Sequence, residues 1–252
     1  TLAVAFFLSL KRRTDRHSND PSGWLVPVLM LGGVIALMIP SQSGAFFGVV
    51  DAKPYWNTAL MPILFLVSAI TSGSAVLLLV HTFLLGDEAK TDVEPLRFLR
   101  TAVLGGVAVY FLLEFAELSV AYWSPNGHAL EAFHLVLFGP FWWVFWLVHL
   151  GGAAAAFALL LRGRSLPAVG TGAFLVALTF ISTRLNILVP GQSIPQLDGL
   201  GEAFAHSRLS YVYQATTNEY LVALFLGAFG VGLAYIAIKM LARFEGAREV
   251  QS

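Results

Sequence analysis

Six times along its 252 residues the chain stays apolar for long enough to cross a bilayer, at residues 24–47, 57–85, 101–123, 132–161, 168–189 and 213–241. A hydrocarbon core of about 30 Å needs roughly 20 such residues in a helix. Helix is the form the backbone demands, because lipid offers no partner for a free N–H or C=O, and the alternating pattern of a membrane barrel is missing. Pro21-Ser22-Gly23, Ser124-Pro125-Asn126-Gly127 and Pro190-Gly191 punctuate the runs. Composition agrees: 57% of residues are hydrophobic and 12% charged, and the mean hydropathy is +0.75, whereas a soluble domain carries roughly 25% charge. The fold class is an all-α integral membrane protein, a polytopic helical bundle.

A shorter apolar run, residues 2–10, meets Lys11, Arg12 and Arg13 at once. It is about half a bilayer long and lacks the charged start and small-residue cleavage site of a signal peptide. It reads as the tail of a truncated transmembrane helix. The expected organisation is therefore that tail at 1–10, a cytoplasmic loop at 11–23, a bundle of about six full spans at 24–242 and a cytoplasmic tail at 243–252. Lysine and arginine orient it. Lys11, Arg12, Arg13, Arg16, Lys90, Arg97, Arg100, Arg162, Arg164, Lys239, Arg243 and Arg248 fall on one side, whereas the alternate connections hold only Lys53 and Arg208. The basic side is cytoplasmic by the positive-inside rule, which places the C-terminus inside.

Several function classes drop out. Cysteine is absent, so this chain can form neither disulfides nor thiolate-held iron–sulfur clusters. Net charge is zero and no basic block occurs, which argues against nucleic acid as a partner. No phosphate-binding loop, zinc signature, hydrolase triad or dinucleotide fingerprint stands out.

The informative residues are the polar ones inside apolar spans, since each costs a few kcal/mol on insertion scales and is normally paired or functional. Glu114 and Glu117 share one helix face. Arg184 and Asn186 lie near the end of the run that finishes at Val189, Glu219 with Asn218 opens the last run, and Glu131 and His134 lie near the start of another. Gln42 and Ser43 follow Pro40, and Trp56-Asn57 open the next run. With the orientation above, all belong to the outer third of the membrane. Two readings follow: a protonatable pocket that relays protons, or an ion pair between Arg184 and one of Glu114, Glu117 and Glu219 that pins helices together.

His81 and His149 are the nearest to a pair of haem ligands, but their depths differ by about 10 Å at helical rise, which favours hydrogen-bonded packing histidines over axial ligands. Trp142, Trp143 and Trp146 with Phe138, Phe141 and Phe145 form an aromatic stretch around Gly139-Pro140, better suited to packing than to a quinone tail. Gly32-Gly33, Ser72-Gly73-Ser74, Gly105-Gly106 and Gly151-Gly152 are small-residue patches expected where helices approach closely. A secondary transporter would need midplane binding and an inverted repeat, and no convincing repeat is present. A haem-b membrane anchor is the other alternative.

Three motifs carry a resemblance. Ser41-Gln42-Ser43-Gly44, Lys53-Pro54-Tyr55-Trp56-Asn57-Thr58 and the run from Met61 to Ile70 with Gly73 form the first; Thr183-Arg184-Leu185-Asn186-Ile187 with Gly191-Gln192 the second; Tyr213 with Glu219 the third. In order and spacing the chain resembles the NrfD/PsrC family, the membrane subunits of polysulfide reductase-like complexes. The resemblance implies a haem-free subunit, with no metal of its own, that exchanges electrons between membrane quinone (menaquinone or ubiquinone) and an iron–sulfur partner. That partner connects in turn to a molybdopterin or multihaem cytochrome subunit, and the location is the cell's inner membrane. It implies that Gln42, Ser43, Trp56 and Asn57 border or buttress the quinone head group. Glu114, Glu117, Arg184, Asn186, Glu219 and His134 then serve as proton relay or structural ion pairs. It also implies that the chain starts near the end of the third family helix, so that most of the family's quinone pocket precedes it. Gln42 stands where the family often has a quinone-contacting tyrosine; it hydrogen-bonds but does not titrate. Ala215-Thr216 stands where Pro-Ser commonly precedes the last glutamate.

Overall fold

The structure, a computed structural model, describes residues 25–84, 93–123, 127–195, 199, 203, 213 and 215–249. The helix tail expected at 1–10, the loop at 11–23, the turn residues Ser124, Pro125 and Asn126, and the cations Lys90 and Arg208 lie outside those residues.

Among the described residues the regular elements are all helical. They are α1 (Leu25–Gly48), α2 (Met61–Leu84), α3 (Val93–Trp123), α4 (Gly127–Phe138), a π-helical segment (Val144–Gly151) continuing into α5 (Gly152–Arg162), α6 (Leu166–Ser193) and α7 (Thr217–Glu249). Five stretches are long and apolar enough to cross a membrane: Met30–Gly48, Met61–Phe83, Glu94–Trp123, Val144–Arg162 and Leu166–Ser193. The single run expected at 132–161 is instead divided. Pro140 has no N–H to continue a helix and disfavours helical backbone at Gly139, so α4 stops at Phe138. The indole of Trp146 reaches back across the break and donates to the Leu137 carbonyl at 2.9 Å, satisfying an acceptor freed at the helix end.

The chain falls into two units, Thr1–Ala205 and His206–Ser252. In the first, α2 is central, packing against α1, α3 and α6, while α6 packs against the π segment and α5. Their shared core includes Leu78, Val103, Tyr110, Leu160, Val176 and Phe180. Lipid gives apolar side chains no reason to leave it, so close packing rather than hydrophobic burial must hold such helices together. Gly106 shows how: a Cβ there would collide with the Thr71 side chain of α2. The neighbouring Gly105, and likewise Gly32, Gly33 and Gly73, have open space instead. Outward-facing residues such as Met30, Met38, Phe46, Leu112 and Phe115 are all more than 60% exposed, as a lipid-facing belt requires.

The second unit contains α7. Thr216 caps it: its hydroxyl accepts from the Glu219 N–H at 3.4 Å, and the Glu219 carboxylate accepts from the Thr216 N–H at 2.6 Å and its hydroxyl at 2.9 Å. This reciprocal capping box closes orphan donors at the helix start. It gives Glu219 a local structural job inside its own unit.

Candidate functional site

The connection between α1 and α2 is a compact knot, folded by bonds such as Trp56 N–H to Lys53 carbonyl at 2.8 Å and Asn57 N–H to the same oxygen at 3.0 Å. One face grips the end of α6. The Lys53 ammonium donates to the Ile194 carbonyl at 2.5 Å, the Tyr55 hydroxyl to the Asn186 carbonyl at 3.0 Å and the Trp56 indole to the Ile187 carbonyl at 2.9 Å. Gly191 makes the last contact possible, since a Cβ there would overlap the Trp56 ring. Burial, reinforced by the Glu114 and Glu117 charges, pushes the Tyr55 hydroxyl well above its ordinary pKa, so it remains a donor throughout the physiological range.

The other face of the knot opens on a pocket of about 230 Å³. Asp51, Tyr55, Asn57 and Glu117 supply its polar groups; Pro54, Val120, Ala121, Ala129 and Phe133 supply apolar wall. The Asn57 amide donates to the Asp51 carboxylate at 2.7 Å, and the Thr58 hydroxyl donates to the Glu117 carboxylate at 2.6 Å. Its size is below the roughly 300 Å³ at which drug-sized sites begin. A single aromatic head group fits that volume, and a long apolar tail does not.

Three residues back from Glu117 on the same face of α3, Glu114 leads inward. Its carboxylate lies 2.9 Å from His149 Nε2. His149 is fully buried, on the π segment, with the rings of Phe145, Phe111 and Tyr110 around it at 5.6, 5.1 and 6.2 Å. Its Nδ1 lies 3.4 Å from the Ser182 hydroxyl and 3.3 Å from the Thr183 hydroxyl of α6. The Ser182 and Thr183 hydroxyls donate to the Thr179 carbonyl at 2.6 and 3.2 Å, which leaves their lone pairs to accept from Nδ1–H, so the Nε2–Glu114 contact needs a proton on one of its two partners. A π segment widens the helix by one residue per turn and is frequent where a side chain must be re-aimed. Thr58 and Glu117 thus stand at the pocket, and Glu114, His149 and the Ser182/Thr183 hydroxyls form a second bonded group one turn of α3 away.

The remaining expected residues scatter. Gln42 is exposed, and the exposed Ser43 turns its hydroxyl into its own helix, on the Ile39 carbonyl at 2.9 Å. Trp56 is part of the grip and Asn57 part of the pocket, so only one of that pair lines the cavity. Arg184 does not pair with Glu114 or Glu117. Its guanidinium donates to the Ser68 hydroxyl at 3.0 Å and lies 3.9 Å above the Phe65 ring, a cation–π contact. Asn186 is buried beside the grip, and its side-chain amide nitrogen has no partner among the described residues. His134 is exposed, its ring 5.2 Å from Phe138. Both nitrogens of His149 meet protein side chains, the arrangement of a hydrogen-bonded histidine. Tyr55 and Thr58, which line or support the pocket, entered the sequence reading only as members of the motif around Trp56-Asn57, with no role of their own, and Asp51 did not enter it. Among the described residues no group of three or more acidic, histidine or cysteine side chains could hold a metal ion.

Comparison with known proteins identifies the family. The family model described as polysulphide reductase, NrfD, matches residues 21–196. A selenate reductase subunit of Mesobacillus selenatarsenatis is 29% identical over 95% of this chain and 57% of its own length. An Hdr-like menaquinol oxidoreductase integral membrane subunit of Archaeoglobus fulgidus is 26% identical over 81% of this chain and 55% of its own length. Protein NrfD of Escherichia coli is 27% identical over 63% of this chain and 51% of its own. The chain therefore spans about half the length of the curated relatives it matches. With the family model covering most of its residues and five apolar helices suited to a bilayer, the chain is a multi-pass membrane protein that belongs to the NrfD family.

Proposed function

We propose that the chain is the quinone-interacting membrane subunit of an oxidoreductase complex, taking electrons from, or giving them to, an iron–sulfur partner that serves a molybdopterin or multihaem subunit. The names of two relatives, a selenate reductase subunit and a menaquinol oxidoreductase membrane subunit, support this reading. The observation that carries it is the pocket whose inner wall is a carboxylate. Oxidising a quinol releases two protons with two electrons, so the electron acceptor alone is not enough; a base must stand within hydrogen-bond reach of the ring hydroxyl. Glu117 is that base, oriented by the Thr58 hydroxyl. Asn57 orients the head group, the Tyr55 ring walls one side while its hydroxyl stays on the Asn186 carbonyl, and Val120, Ala121 and Phe133 hold its apolar edge.

From Glu117 the proton passes to Glu114 and then to the His149 imidazole, which gains it at Nε2, the nitrogen facing Glu114, while Nδ1 stays on the Ser182 and Thr183 hydroxyls. Arg184 and Asn186 stand by as positioning groups, and His134 lies outside the path. The membrane is the cell's inner one, with about six full spans and a cytoplasmic C-terminus following from the distribution of lysine and arginine. In the purified complex, Glu117→Gln should lower quinol-dependent electron transfer about 100-fold, the low end of what a positioned base contributes, while subunit content stays unchanged. Turnover equal to that of the unaltered complex would overturn the assignment.

A further inference from the structure

A second cavity, of about 440 Å³, lies at the other end of α3, some twenty residues and about 30 Å of helix from Glu117. Its walls are Leu96, Leu104, Leu160 and Leu161, and its charged groups are Arg97 and Arg100, with Thr101 beside them. The Arg100 Nε donates to the Leu160 carbonyl in the last turns of α5, which fixes the guanidinium against the cavity wall. No carboxylate among the described residues pairs with Arg97 or Arg100. Arg162 and Arg164, both exposed, follow directly on the wall residue Leu161. Glu94 is the single acidic residue in the first turn of α3.

We infer that this cavity is a binding site for one anionic phospholipid. Both halves of the lining are needed for that choice. Forked guanidinium N–H groups match phosphate oxygens bidentately, and basic pockets between membrane helices bind anionic head groups. The leucines then take the glycerol-proximal part of the acyl chains, a role that a free phosphate ion would leave idle. The site sits where α3 and α5 end at the membrane boundary, so the head group keeps its water while its chains stay in lipid.

Native mass spectrometry of the detergent-purified complex tests this by titration with phosphatidylglycerol, phosphatidylcholine and inorganic phosphate. Phosphatidylglycerol should be retained over phosphatidylcholine, and Arg97→Gln should reduce that retention roughly fivefold, the worth of one cation near a charged head group. Arg97 is exposed, and no hydrogen bond or ion pair joins its side chain to a described residue, so its replacement is expected to leave the fold intact. Quinol-dependent turnover in the same sample checks that. Equal retention of the two lipids, or unaltered retention in Arg97→Gln, would overturn the site. Displacement of phosphatidylglycerol by equimolar inorganic phosphate would overturn its assignment to lipid.

Discussion

The two faces of the α1–α2 connection use side chains of similar polarity for opposite ends. On the α6 side, Lys53, Tyr55 and Trp56 each spend a donor on a main-chain carbonyl, which removes those groups from chemistry and fixes the knot in place. On the α3 side, Asn57 and Thr58 bond to the carboxylates of Asp51 and Glu117, both of which line a cavity. Carbonyls do not titrate and carboxylates do. What a side chain meets, more than its own type, separates scaffold from site here.

The largest effect should come from breaking the grip. Trp56→Ala removes a ring packed against Phe47 and Gly191 and leaves a hole, at a cost of about 3–5 kcal/mol. A thermal-unfolding midpoint in detergent lowered by many degrees is the expected result, and a small shift would show that the α6 contact is dispensable. Next comes the proposed relay. Glu114→Gln keeps a hydrogen-bonding group beside His149 but cannot carry a proton, so turnover should fall about tenfold with assembly unchanged. Loss of assembly instead would make the Glu114–His149 contact a structural ion pair.

Tyr55→Phe should cost about 1 kcal/mol of stability, the worth of one hydrogen bond, measurable by the same unfolding assay. Because its hydroxyl pKa is raised, the wild-type advantage should be flat from neutral pH up to the ordinary tyrosine range, and erosion of that advantage near neutrality would contradict the donor role. Gln42→Ala should be the mildest, within about 0.5 kcal/mol and without effect on turnover, as for an exposed side chain. A marked fall in turnover would restore Gln42 to the site.

The helical architecture was legible because apolar length alone dictates it, and Glu114 and Glu117 stood out because carboxylates in apolar runs are costly. The division at Pro140 was hidden by the uninterrupted apolar residues on either side, Phe138 and Phe141 among them. That same break misled the depth of His149. Counted along one continuous helix it falls at mid-span, whereas the turn and the π segment bring it to Glu114. Arg184 illustrates a different gap. Opposite charges at equal depth suggested a salt bridge, but Ser68 and Phe65, one turn apart on α2, compete successfully for the guanidinium. Contacts between residues distant in sequence have no local signal, and Thr58 with Glu117 is a case in point.

The functional reading stands or falls on whether the cavity between the knot and α3 receives a quinone head group. Photolabelling the purified complex with an azido-quinone, followed by peptide mapping, answers this residue by residue. Adducts should fall on the segments holding Tyr55, Asn57, Glu117 and Phe133, and excess unlabelled quinone should suppress them. Suppressible labelling confined to the Gln42–Ser43 stretch, or to residues outside this cavity, would contradict that reading.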